Sequence, residues 1–168
     1  MEDLDRLMEA ATEADQQVLV DLAAQSEQDL HRWIATSGVL ELASEHGIEV
    51  LFWHVMDDGK DSLELLDRLL GRYGSQAHCG IVLNHGRGEN FATHHKSPVA
   101  QKVVEMGVPV LELPALYKPT MRNIDHRDKS FWAAMTHKEG PSALGLVERH
   151  RVKVWMRGAN AEFEKLGI

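Results

Sequence analysis

The chain has 168 residues, 43% of them hydrophobic and 26% charged, with a formal net charge of −8. That is long enough to bury one sizeable core, and the balance excludes intrinsic disorder; a single cysteine, Cys79, excludes an intrachain disulfide framework. No apolar run reaches bilayer length and Met1 to Asp15 is acidic, so a cytoplasmic protein with no membrane partner is expected.

The charge is unevenly placed. Nine acidic side chains fall within residues 1–30, where Arg6 is the only base, and the rest of the chain is formally neutral. Acid at that end disfavours a nucleic-acid surface there. The basic segment Arg149, Arg151 and Lys153, with Arg157, is the candidate for such contact, its alternative being a solvated helix face.

Taken in order, Leu4, Leu7, Met8 and Ala11 recur at helical spacing and predict an amphipathic helix over 2–14 within an amino-terminal segment 1–16. Gln17–Ala23 is apolar and strand-like, and contains Asp21. Ser26 with Asp29 resembles a capping arrangement, Leu30, Trp33 and Ile34 share a helix face, and a break is expected near Gly38 before a helix that ends at Gly47. Ile48–Met56 is almost continuously apolar, as in a strand covered on both faces, and precedes Asp57 and Asp58. Asp61-Ser62 opens a helix carrying Leu63, Leu66, Leu69 and Leu70. Cys79–Leu83 is the next strand, before Asn84. Ser97-Pro98 starts a helix to Met106, and Val108–Leu113 is the fourth strand, before Pro114. Two helices, Asp128–His137 and Ser142–Lys165, flank Glu139-Gly140-Pro141.

Strands alternating with helices predict an α/β fold: an open, mainly parallel sheet of about four strands over 17–116, with a helical region over 117–168, in a single domain. In such sheets ligands bind outside the carboxyl ends of the strands. Gly86–Lys96 is the least regular stretch and a candidate mobile loop beside that edge.

Several segments carry a resemblance. Val18–Gln25 resembles the second nucleotide-binding motif of ParA/MinD-type P-loop ATPases, an apolar strand ending in Asp. His54-Val55-Met56-Asp57-Asp58, Ile81-Val82-Leu83-Asn84 and Val110-Leu111-Glu112-Leu113-Pro114 resemble later strands of that group. More specifically, Phe52–Ser62, Val82–Gly88 and Ser130–Ala134 look like its plasmid mobilisation and stability proteins. The likeness spans roughly residues 17–165. It implies an adenine nucleotide with Mg²⁺ as cofactor, a plasmid mobilisation or partition protein as partner, a homodimer, and nucleotide-binding roles for Asp21, Asp57, Asn84 and Pro114.

The departure from that group is equally plain. A P-loop needs glycines for backbone approach to phosphate, and a Lys with a Ser or Thr; neither Gly-Lys-Ser nor Gly-Lys-Thr occurs in this sequence. The resemblance therefore implies a relative lacking its amino-terminal portion, either a fragment or a naturally shortened protein, with no catalytic residue in this chain.

Each candidate has an alternative reading. Asp21 is either a residual ligand or a carboxylate accepting backbone N–H groups of the next turn. Asn84 can match a purine edge or satisfy its own turn, and Asp57 with Asp58 suits a turn before Gly59 better than a catalytic pair. His94-His95 near His85 suggests metal binding, but adjacent histidines on a strand diverge and no ligand array completes them, so no metal site is expected. Without a Gly-x-Ser-x-Gly elbow there is no serine-hydrolase signature. Cys79 reads as a buried thiol; Trp53, Trp132 and Trp155 read as core or interface aromatics.

Overall fold

Three of the four apolar runs become strands of one open parallel sheet whose spatial order repeats the chain order: β1 (Leu51–Met56), β2 (His78–Asn84) and β3 (Val110–Leu113). The architecture comes from a computed structural model that describes residues 2–13, 17–23, 25–140 and 143–165. Ala14, Ala24, Pro141 and Ser142, which belong to expected elements or motifs, lie outside those residues. Two compact units are present, residues 1–52 with 73–78 and residues 53–72 with 79–168.

The first unit holds α1 (Glu2–Thr12), α2 (Glu27–Ser37) and α3 (Val39–Glu45). Among its described residues, Trp33, Ile34, Val39, Ala43 and Tyr73 have buried side chains. Trp33 donates its indole N–H to Asp5 Oδ1 (2.8 Å), and Tyr73 stacks on Phe52 with centroids 4.8 Å apart. The break at Gly38 is as expected: its φ of 60° is left-handed, and its N–H bonds Ile34 O to end α2. Ser26 does not cap α2; its hydroxyl donates backwards to Ala23 O at 2.7 Å.

Gln17–Ala23 is the main correction. It is not a strand, so among the described residues the sheet has three strands rather than about four; the run is exposed throughout, and Leu19 is 90% exposed. An apolar run becomes a strand only where neighbours take up its backbone groups. Among the described residues no strand pairs with this one.

The second unit contains the sheet, apart from the strand starts Leu51, Phe52 and His78. α4 (Lys60–Tyr73, its last residue in the first unit) buries Leu66 and Leu70. β2, central in the sheet, buries every residue from Cys79 to Leu83. In register, Ile81 faces Val110 and Asn84 faces Leu113. β1 is shorter than expected and is an edge strand: Val55 is 57% exposed, so it is not covered on both faces.

Ser97 caps α6 (Pro98–Glu105) by accepting the Ala100 N–H at 3.1 Å, with Pro98 in the first turn. Beyond β3 lie α7 (Lys118–His126), unforeseen from sequence, α8 (Phe131–Thr136) and α9 (Leu146–Glu164). α9 packs on α8 and β3, around a buried cluster of Leu116, Ile124, Ala134, Leu144 and Val152. Of the tryptophans, Trp53 packs edge-to-face on Phe163 and Trp155 lies against Phe131, whereas Trp132 is exposed beside His137 and is not a core residue. No helix among the described residues is long and apolar enough to cross a membrane.

Candidate functional site

Parallel strands deliver their carboxyl ends to one edge, and the residues there are Asp57 and Asp58 after β1, Asn84 at the end of β2, and Pro114 after β3. Three of the four expected ligand residues, Asp57, Asn84 and Pro114, thus lie at or just after strand ends of the same sheet. Asp21 belongs to the first unit, on the exposed run.

Each of the three already has a bond within the chain. Asp57 Oδ1 accepts the Gly59 N–H at 2.9 Å, and Asn84 Oδ1 accepts the Gly86 N–H at 3.0 Å, both of them Asx turns. The Pro114 carbonyl accepts the indole N–H of Trp155 at 2.6 Å. The turn readings of Asp57 and Asn84 therefore have direct structural expression.

Asp58 does something sequence reading missed. Its Oδ2 accepts the backbone N–H groups of Glu89 (2.9 Å) and Asn90 (3.1 Å), tying the loop after β1 to the loop after β2. The Asn90 and Glu89 bonds hold its carboxyl below the ordinary carboxylate value, because they favour the charged form. Gly88 lies against the same turn: a Cβ there would sit 2.7 Å from the Asp58 backbone nitrogen. Gly86-Arg87-Gly88 was visible in the sequence as an irregular stretch, but nothing local names its partner.

The segment thus pinned also contains a short helix, α5 (Ala92–His95), so Gly86–Lys96 is more ordered than expected. His85 donates its backbone N–H to Leu113 O (3.0 Å), places Nε2 of its ring 3.2 Å from Glu112 Oε2, and packs edge-to-face on buried Phe91. Lys118 pairs with Glu89 at 2.9 Å on the surface.

A cleft of about 390 Å³ lies beside β1, lined by His54, Val55, Asp57, Gly59, Lys60, Asp61, Ser62 and Leu65. It includes Asp57 but neither Asn84 nor Pro114. His54 is held below the ordinary histidine value by burial, against the opposing pull of the Ser62 carbonyl, 2.9 Å from its Nε2, and of Asp57. Among the described residues, no three or more His, Cys, Asp or Glu side chains are placed to hold a metal ion. Cys79 is buried, and burial pushes its thiol up, away from the nucleophilic thiolate.

The basic segment is partly committed to the fold. Arg149 donates to Leu144 O at 2.6 Å; Arg151 donates to Thr120 Oγ1 at 3.0 Å and lies 4.6 Å over the Tyr117 ring. Lys153 and Arg157 are exposed. Two cations of four on a helix surface are a thin basis for phosphate contact. No family model, no curated protein and no solved structure matches the chain.

Proposed function

We propose that this chain is a degenerate ParA/MinD-like nucleotide-binding fold without a phosphate-binding loop, acting as an accessory protein in plasmid mobilisation or maintenance. One observation carries the reading. Three parallel strands stand side by side in chain order, and their carboxyl ends are followed by Asp57, by Asn84 itself and by Pro114, the residue types and order that the sequence resemblance implies.

The residues present do not fit a Mg²⁺-bound phosphate. The sequence has no glycine-rich Lys-Ser or Lys-Thr loop, Asp21 lies on an exposed run, and Asp57 Oδ1 is held in a turn. No catalytic step is assigned. With Asn84 Oδ1 bonded to Gly86, a purine edge would be read through its amide nitrogen.

Thermal melting of wild type and Asn84→Ala, each with and without ADP or ATP plus Mg²⁺, tests the reading. A small nucleotide-induced rise in Tm, absent in Asn84→Ala and without hydrolysis, is the expected result. Rapid ATP turnover by the pure chain would overturn the non-catalytic assignment. No shift in either protein would overturn nucleotide binding.

The second reading is a non-catalytic interaction module that homodimerises without a ligand. It draws on the internal bonds of Asp57, Asn84 and Pro114 and on the exposed apolar residues Val18, Leu19, Val20 and Leu22. Sedimentation at rising concentration distinguishes it: a dimer without nucleotide supports it, a persistent monomer removes it.

A further inference from the structure

His94 is the one buried side chain among the described residues whose polar atom, Nδ1, lacks a hydrogen-bond partner. It is 6% exposed, on α5, in the segment that follows the carboxyl end of β2. Buried polar atoms are nearly always bonded, and an exception marks a place where the fold holds a group against its preference. The charges that bear on His94 come from two other imidazoles, His95, with ring centroids 5.4 Å apart, and His54 of β1. Among the described residues, no carboxylate charge offsets them at His94. Asp57 acts on His54. Because the Ser62 carbonyl only accepts, the Nε2 facing it carries a proton, so a second proton on His54 must go to Nδ1.

We propose that His94, buried beside the His95 ring, is an acid-operated latch whose protonation turns α5 out of the fold in mildly acidic solution. The segment has a natural pivot at each end. Asn90 is held by Asp58, whose carboxylate stays charged through this range, and Ser97 is fixed as the cap of α6. Between them, release breaks the Ser97 hydroxyl bond to His94 O (2.7 Å) and uncovers Phe91. Burial, then the charges of His95 and His54, hold His94 below its ordinary 6.5 while the segment is closed. The open form therefore binds the additional proton, and opening gains as pH falls below 6.5. This inference is independent of whether the sheet edge binds nucleotide.

Hydrogen exchange of amides 91–97, corrected for intrinsic rates and referenced to β2, tests it at pH values from 8 to 5. Protection in 91–97 is expected to fall by up to about tenfold per pH unit below 6.5, the limit for one linked proton, while β2 is unchanged. In His94→Phe, which keeps the ring but cannot titrate, the fall should vanish. If that variant does not fold, the His94 ring is titrated by NMR in the wild-type chain, and its midpoint should lie below 6.5, at the pH where the fall in protection levels off. Flat protection in wild type, an equal fall in His94→Phe, or a His94 titration without loss of protection would overturn the latch.

Discussion

Gly80 of β2 and Trp53 of β1 are fitted to each other: a Cβ on Gly80 would lie 2.5 Å from Trp53 Cζ3 and 2.7 Å from Cε3. Glycine inside a strand usually weakens it, and here it makes room for an indole that is also held edge-to-face by Phe163, with centroids 5.5 Å apart. The ring cannot yield freely. Gly80→Ala should cost about 1–3 kcal/mol of unfolding free energy by urea titration, the usual scale of overpacking. In Trp53→Leu the obstructing ring is gone, so adding Gly80→Ala to that variant should cost clearly less than it does in wild type. Additive costs would show that the two residues are not in contact.

Asp58 should act on its loop rather than on any ligand. Asp58→Ala removes the acceptor for the Glu89 and Asn90 amides, so both should exchange faster while β2 amides do not change. The pH dependence follows from the lowered carboxyl. Its contribution is complete above the ordinary 3.8 and is lost as pH falls through the depressed folded value, because the unfolded form then binds the proton first. Gly88→Ala should loosen the same loop, since its Cβ would meet the Asp58 backbone nitrogen, which has less freedom to move than a side-chain tip. Unchanged exchange at 89 and 90 in both variants would refute the tether.

What could be read from the sequence depended on how far away the deciding partner lies. β2 was legible because Cys79–Leu83 is apolar on both faces, and α6 because Ser97-Pro98 supplies a cap and a first-turn proline within two residues. Gly38 and Gly47 mark left-handed turns that punctuate the chain locally. Gln17–Ala23 has the same apolar pattern as β2, yet pairing is not written in the run that is to be paired. Ser26 shows the same limit at short range: its hydroxyl could accept an N–H of the first turn of α2 or donate backwards, and it donates to Ala23 O. At the sheet edge the strand-end residues were identifiable, whereas the Asp58 bonds to Glu89 and Asn90 join residues more than thirty positions apart.

Leu144 and Leu146 are two residues apart and should differ sharply. Leu144 is 2% exposed inside the cluster with Ile124 and Val152, while Leu146 is 75% exposed in the first turn of α9. Leu144→Ala should lose about 2–5 kcal/mol, transfer and cavity terms together, whereas Leu146→Ala should stay within about 0.5 kcal/mol of wild type. Equal losses in denaturant titrations would contradict the boundary of the buried cluster.

Leu19 gives the sharpest test of the exposed run. In a buried strand, replacing it with Lys would strand a charge in the core and cost several kcal/mol. At 90% exposure the change should alter unfolding free energy by no more than about 0.5 kcal/mol. The two placements therefore predict different outcomes for one variant. Leu19→Lys should also lower any concentration-dependent association, because an exposed apolar run is a template for pairing with another strand and lysine blunts such templates. A large loss of monomer stability would mean that Gln17–Ala23 packs as a strand after all. Unchanged stability together with weaker association would assign the run to contact between molecules.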